Sequence, residues 1–318
     1  MSSKLSSKQI KAEAANLGFF ACGAAKAAPV DEETARRFKR WIELGHQADM
    51  AYMANNTDKR LDPRLLMDGV KSIVCVALNY APARRIPEGE LQFAAYALGA
   101  DYHDIMKDKL HRLAARLGLQ HYRAFCDTAP VLERYWAAQA GLGWIGRNSQ
   151  LIIPHAGSMF FLGELFVDVE LEYDKPAKSR CGSCRACIDT CPGGAISEET
   201  VNGLDNSSVD AARCLSYQTI ENRGDIPSDL ACKLGDTVYG CDRCQTACPW
   251  NRFAKPTDEP LLTPKDELLQ MTRDRWHSLT PEEYRLLFKG SAVKRAKYEG
   301  LMRNIRTIEK LRIEKLKN

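Results

Sequence analysis

The 318-residue chain has no apolar run long enough to span a bilayer; its most apolar stretch, Met159–Val169, is short and interrupted by Glu164. The opening residues, MSSKLSSKQIKAEAANLGFF, lack a continuous apolar core, so a secretory leader is not expected. Collagen-like, coiled-coil and low-complexity patterns are missing, and nothing repeats apart from two cysteine motifs. These absences exclude membrane-embedded, fibrous and disordered classes and predict a soluble, cytoplasmic protein with no membrane partner. Hydrophobic residues make up 45% and charged residues 27%, enough for ordinary cores, and the length suggests two domains.

What is abundant is cysteine. In a reducing compartment, clustered cysteines point to metal binding or redox chemistry rather than to disulfides. Of the twelve, Cys22, Cys75 and Cys126 are scattered, and nine lie between Cys181 and Cys248. Charge is uneven too. Ser291–Asn318 carries nine Lys/Arg against three Asp/Glu, so the overall +4 resides in a tail of net +6, and such tails suit anionic partners such as nucleic acid.

Three regions separate along the chain: 1–174, 175–255 and 256–318. The first mixes helix-like segments (Lys8–Leu17, Glu32–Leu44, Tyr102–Leu117, Val131–Ala140) with strand-like ones (Ser72–Leu78, Tyr122–Cys126, Gln150–Ile153, Met159–Val169). This predicts an α/β (α+β) domain, followed by a cysteine-rich domain and a short helical C-terminus. In the last region Leu301, Ile305, Ile308 and Leu311 recur at helical spacing, which predicts an amphipathic helix against the protein's own core.

Cys181-x-x-Cys184-x-x-Cys187-x-x-x-Cys191-Pro192 is the bacterial ferredoxin run, in which three cysteines hold one cubane cluster and the fourth reaches the other. The second run, Cys241-x-x-Cys244-x-x-x-Cys248-Pro249, lacks its first member, where Val238 stands. An upstream cysteine must supply the eighth ligand, either Cys214 or Cys232. Cys181, Cys184, Cys187 and Cys248 are thus expected on one [4Fe–4S] cluster, and Cys191, Cys241, Cys244 and the eighth cysteine on the other. CxxC pairs also bind zinc, but the proline-ended x3 spacing, present twice, favours two clusters in a ferredoxin-like domain. Two adjacent clusters form a wire fed by a soluble low-potential electron donor, and the large first domain suggests a second cofactor at the wire's end.

Gly141-Leu-Gly143-Trp-Ile-Gly146 matches the dinucleotide fingerprint, but a helix precedes it and a strand follows, the reverse of the required context. A glycine turn allowing close backbone approach is expected instead. Asp127, before the helical stretch from Val131, reads by itself as a helix N-cap. Asp101-Tyr-His103 begins like a cobalt-ligating histidine motif, but Met106 replaces its glycine, so a histidine-bound corrinoid is unsupported.

Several strings together resemble one family over nearly the whole chain: Lys59-Arg60-Leu-Asp-Pro63, Ala100-Asp101-Tyr102-His103, Asp127-Thr-Ala-Pro-Val-Leu-Glu133-Arg134, and Gly141 through Arg147-Asn148-Ser149. Ala212-Arg-Cys214-Leu-Ser216-Tyr217 and Tyr239-Gly-Cys241-Asp242-Arg243 continue the match. The pattern resembles the epoxyqueuosine reductases, iron–sulfur and cobalamin enzymes of tRNA queuosine biosynthesis. That resemblance implies a base-off cobalamin in the first domain and tRNA carrying epoxyqueuosine as substrate. It also implies Cys214 as the eighth ligand, and Asp127 as proton donor, held protonated in a dry site. Arg60, Asp101, Tyr102, His103, Asp127, Arg147, Asn148, Ser216, Asp242 and Arg243 fall in strings that surround the corrinoid. Longer members continue into HEAT-like repeats, and Lys294–Asn304 resembles the first helix of such a domain. The competing reading is a corrinoid iron–sulfur reductase of a small molecule, of reductive-dehalogenase type; an export signal and no basic tail would be expected of it.

Overall fold

The computed structural model describes residues 5–197, 200–201, 204–205 and 208–317. The elements that matter for the site are, in chain order, α1 (Ser7–Asn16), β1 (Ala21–Lys26), β2 (Ser72–Asn79), α2 (Tyr102–Arg116), β3 (Tyr122–Phe125), α3 (Glu133–Gln139), β4 (Phe160–Val167) and α4 (Lys297–Lys317). The four strands form one antiparallel sheet in the order β1-β2-β4-β3.

Every residue of β2 but the last is buried, and so is β4 after Phe160, because both lie at the centre of the sheet with helices on each face. α1 and α2 cover one face, where Ile10, Ala14, Leu17, Ile105, Met106, Leu110 and Leu113 pack on Val74, Val76 and Leu165. α3 covers the other, setting Trp136, Ala137 and Ala140 against Ile73, Leu162 and Phe166. The helices begin where short polar side chains take up free backbone N–H groups. Ser6 accepts from Gln9 at 3.2 Å, and Asp101 accepts from His103 at 3.1 Å.

The expected helices and strands of the first region are present within a few residues of their anticipated ends, α3 and β4 being the most shortened. β1 (ACGAAK) was not expected, since alanine and glycine have little strand preference. Its small residues answer to packing: a Cβ on Gly23 would lie 2.0 Å from the Ala140 carbonyl oxygen at the end of α3.

A second core lies beneath the cysteine-rich region. Trp276, Phe288, Tyr239 and Leu230 pack there with Leu301, Ile305 and Ile308 of α4. The apolar stripe of α4 thus faces the protein's own interior, as its spacing predicts. Asn304, fully buried, donates to the Thr219 and Val238 carbonyls at 2.8 Å each. Residues from before position 174 join this core: Leu91 and Phe93 pack in it, and Gln92–Phe93 pairs in parallel with Thr237–Tyr239. Among the described residues no helix is long and apolar enough to cross a membrane.

Candidate functional site

Two groups of thiols and one acidic pocket converge where the sheet meets the cysteine-rich region. Cys187 lies within electrostatic reach of Cys181, Cys248 and Cys184, and Cys248 within reach of Cys181 and Cys184. Cys244 is in reach of Cys214, Cys241 and Cys191, and also of Cys187 in the first group. Burial, with repulsion from neighbouring thiols, raises Cys187, Cys244 and Cys248, and burial pushes Cys241 up to about 11. Four crowded sulfurs can all be thiolates only against cationic iron, and this donor set suits one cubane per group. Among the described residues, no three Cys, His, Asp or Glu side chains close on one point as a single metal ion would need.

Cys214 sits beside Cys191 and accepts hydrogen bonds from the Ser216 and Tyr217 backbone N–H groups. Cys232 is exposed and donates its thiol proton to the Asp229 carbonyl at 3.4 Å. Of the two candidates left open by spacing, Cys214 is therefore the one placed within a thiol group.

The glycine turn docks the cysteine loops. Trp144–Ile145 and Leu151–Ile152 pair as a hairpin, and a Cβ on Gly143 would lie 2.1 Å from the Ile152 carbonyl oxygen. At its tip Arg147 donates to the Cys184 and Gly182 carbonyls, both at 3.1 Å, and Asn148 donates to Cys244 O at 3.3 Å.

Asp127 follows β3 at φ +56°, a left-handed conformation that its short polar side chain tolerates. It does not cap α3, which starts at Glu133 with Leu132 as its cap residue. Asp127 Oδ2 accepts from the Tyr102 hydroxyl at 2.7 Å and lies 3.4 Å from His103 Nε2. His103 Nδ1 is 2.6 Å from Asp101 Oδ1. The two rings are held in place: His103 stacks on Tyr102 with centroids 4.1 Å apart, and Tyr102 on Phe161 at 4.0 Å. Tyr80 continues the aromatic layer, at 4.6 Å from Phe161, and its hydroxyl reaches Gln245 beside Cys244 at 3.2 Å.

The His103 hydrogen bond, aided by Tyr102 and the charges of His103 and Arg134, holds the Asp127 carboxyl below the usual range, although burial opposes this. Its side chain is 60% exposed at the mouth of the pocket and crowded from behind. The expectation of a protonated Asp127 is thus corrected: in this arrangement it is a carboxylate. Bonds to Asp101 and then Asp127 push His103 up to about 9, so the imidazole carries the proton.

Behind the loop, Glu133 accepts the Asp127 backbone N–H, and Glu164 lies within its electrostatic reach with both carboxyl oxygens buried and without a hydrogen-bond partner. Burial, then the charge of Asp127, pushes Glu133 up to about 8, and Glu164 is raised well above its ordinary value. Sequence reasoning did not assign these two a role. The visible signal was Glu164, a lone carboxylate in the most apolar stretch.

The remaining expected residues divide. Arg60 is buried within reach of Asp127 and Glu133; its guanidinium donates to Tyr52 O at 2.9 Å, and its Nε has no partner. Asp242 accepts the Ala95 N–H at 2.7 Å, and Ser216 serves Cys214. Arg243 turns away to the Lys233 and Leu234 carbonyls, at 2.7 Å each. At the rim Arg295 lies over the exposed Tyr52 ring, 5.6 Å from its centroid, and is clamped by Glu221 at 2.8 Å through two nitrogens.

Known proteins share this architecture. Residues 60–128 match the family described as "Epoxyqueuosine reductase QueG, DUF1730", and residues 180–251 match a "4Fe-4S double cluster binding domain". An epoxyqueuosine reductase of Cellulophaga algicola is 46% identical over 300 residues, 93% of this chain and 95% of that protein. One from Pseudomonas aeruginosa is 41% identical over 84% of this chain and 75% of its own length. A solved epoxyqueuosine reductase bound to an epoxyqueuosine-modified tRNA-Tyr stem loop superposes with a TM-score of 0.85 at 27% identity, over 95% of this chain and 80% of that one. The Bacillus subtilis enzyme with its aspartate-bearing catalytic loop swung out of the active site gives 0.83 at 27% identity and the same coverage.

Proposed function

The chain belongs to the epoxyqueuosine reductase family of oxidoreductases, and from that premise we propose how its residues reduce the epoxide of epoxyqueuosine, at a tRNA wobble position, to the alkene of queuosine. The observation that carries the assignment of roles is the Asp127 carboxylate, set in a left-handed loop at the pocket mouth against Tyr102 and His103.

Cys181, Cys184, Cys187 and Cys248 would hold one cluster, and Cys191, Cys214, Cys241 and Cys244 the other; the two thiol groups around Cys187 and Cys244 support this set. A base-off cobalamin fits the face around Asp127. The unpartnered Nε of buried Arg60 suits a polar, amide-fringed macrocycle. Both His103 nitrogens face carboxylates, which leaves neither for cobalt. When bound, the clusters supply single electrons at low potential and the cobalamin a strongly nucleophilic reduced metal.

The chain's own residues supply protons and position. Asp127 delivers a proton to the oxygen released from the ring, since an unprotonated alkoxide or hydroxide leaves poorly. Tyr102 and His103 orient its carboxyl, and Glu133 anchors its backbone. Arg147 and Asn148 clamp the cysteine loops against the pocket. The outward residues of α4, Arg306, Lys310, Lys315 and Lys317, form a basic face suited to tRNA phosphates, and a splayed-out base would reach Asp127 past Tyr52 and Arg295. Such a substrate and a soluble electron donor suit the cytoplasm. Reductive dehalogenation is not favoured, because identity to epoxyqueuosine reductases extends over nearly the full length.

The test is anaerobic purification followed by conversion of epoxyqueuosine tRNA, read by nucleoside mass spectrometry. About eight irons and eight sulfides, a corrinoid absorption band and queuosine as product are expected. Stoichiometric zinc without sulfide, or loaded protein inert on this tRNA, would refute the reading.

A further inference from the structure

Converting an epoxide to an alkene breaks two carbon–oxygen bonds, consumes two electrons and two protons, and releases the oxygen as water. On the functional reading above, the electrons come from a low-potential donor through the clusters. Asp127 is a carboxylate in this arrangement, so a neighbour must charge it with a proton before it can deliver one.

Three groups lie close enough to charge it. The Tyr102 hydroxyl is 2.7 Å away but is a very weak acid, raised further by burial and by the neighbouring Asp127 charge. The Glu133–Glu164 pair holds a proton, but Glu133 meets the backbone N–H of Asp127 and not its carboxyl. His103 Nε2 faces Asp127 Oδ2 at 3.4 Å, while its Nδ1 is engaged by Asp101 Oδ1 at 2.6 Å.

We propose that His103 charges Asp127 for one of the two deliveries: the Asp127 carboxylate takes the Nε2 proton of His103 as it hands a proton to the oxygen at ring opening, His103 is left neutral, and the second proton, for the departing hydroxyl, comes from solvent water. An imidazolium between two carboxylates is the charged state of this relay, with Nε2 aimed at Asp127 and Nδ1 held by Asp101. Asp101 steadies the imidazolium through Nδ1, at the N-terminus of α2, where the helix alone disfavours a cation. The charged groups around His103 are Asp101 and Asp127 in contact, Glu133 behind the loop, and Arg134 and Lys294 one step out beside Asp127 and Asp101. The bonds to Asp101 and then Asp127 push His103 up to about 9 against the opposing effect of burial. The stored proton is therefore present below that pH and lost as pH rises through it.

The experiment is single-turnover conversion of epoxyqueuosine tRNA by chemically reduced holoenzyme across pH 7 to 10. Wild-type conversion in the same assay separates a failure of this proposal from a failure of the functional reading on which it rests. His103→Gln, which keeps a hydrogen-bond donor, should slow the step by about a hundredfold or more with iron, corrinoid and tRNA affinity retained. The wild-type rate should fall through about pH 9. His103→Ala should be rescued by added imidazole, with the alkaline fall moved to the ordinary imidazole range, about 6.5 to 7. A His103→Gln rate within threefold of wild type would overturn the proposal. So would an alkaline fall near pH 9 that persists in that variant, or a well-folded His103→Ala that imidazole does not rescue.

Discussion

Seven of the eight grouped thiols come from two short runs, Cys181–Cys191 and Cys241–Cys248, whereas the acidic pocket draws on six separate segments. Asp101 and His103 open α2, Asp127 follows β3, Glu133 opens α3, Glu164 rises from β4, and Arg60 and Arg295 come from two short helical turns, Thr57–Leu61 and Ala292–Ala296, far apart in sequence. The thiol region tolerates this local construction because a cluster imposes its own geometry on any loop that brings cysteines near. The pocket has no such template. Its carboxyls differ only in surroundings: hydrogen bonds hold Asp127 low, and burial drives Glu133 up to about 8. One region is specified by spacing, the other by sheet register and helix packing.

Mutations can break this contrast. The largest effect is expected for Cys214→Ser, which should remove about half the iron and abolish turnover, while Cys232→Ser leaves both intact. Iron and sulfide analysis of the two variants decides it; iron loss in Cys232→Ser alone would reverse the assignment.

Asp127→Asn comes next, with conversion slowed about 10²–10⁴-fold and both cofactors retained. The measurement is single-turnover conversion under chemical reduction, which removes electron delivery from the comparison. Near wild-type conversion would leave the proton donor elsewhere.

Glu164→Gln sharpens the contrast through stability. A carboxyl raised in the folded state binds more protons folded than unfolded, so its pair destabilises the protein as pH climbs from the ordinary carboxylate range toward about 8. The variant should melt a few degrees higher than wild type at pH 8 and show a flatter pH dependence, while matching it near pH 5. Identical melting curves at both pH values would show that the pair carries no strain.

The smallest effect concerns the basic face. Deleting Ser291–Asn318 would strip Leu301, Ile305 and Ile308 from the second core, so the deletion cannot isolate an RNA-binding role. Arg306→Ala with Lys310→Ala, both exposed, should instead lower the slope of log affinity against log salt by about one for each phosphate no longer neutralised. Filter binding with the tRNA at several salt concentrations reads it, and an unchanged slope would rule this face out.

The elements with strong patterns were legible in advance. α2 shows its helical apolar stripe, β2 and β4 their continuous apolar runs, and α4 its inward face. β1 was not, because its alanines and glycine answer to α3 packed above and not to strand preference. Asp127 misled when read alone: an aspartate a few residues before a helix is usually a cap, but here the chain passes through a left-handed turn first. Of two residues expected around the corrinoid, Arg147 donates to the Cys184 and Gly182 carbonyls of a cysteine loop and Arg243 to the Lys233 and Leu234 carbonyls.

The sequence alone determined the number and type of the clusters, since the ligand spacings lie within loops of a few residues, where chain length limits which thiols can meet. It also determined, through a resemblance spread over many strings, the family and its reaction. Only the tertiary structure decided where the protons reside. Asp127 and Glu133 are six residues apart and chemically alike, yet one is ionised by donors from α2 and the other is kept neutral by the sheet and helix that enclose it. A carboxyl's charge follows from its dielectric surroundings and the hydrogen-bond donors that face it, and these are brought together by segments that the linear order keeps apart.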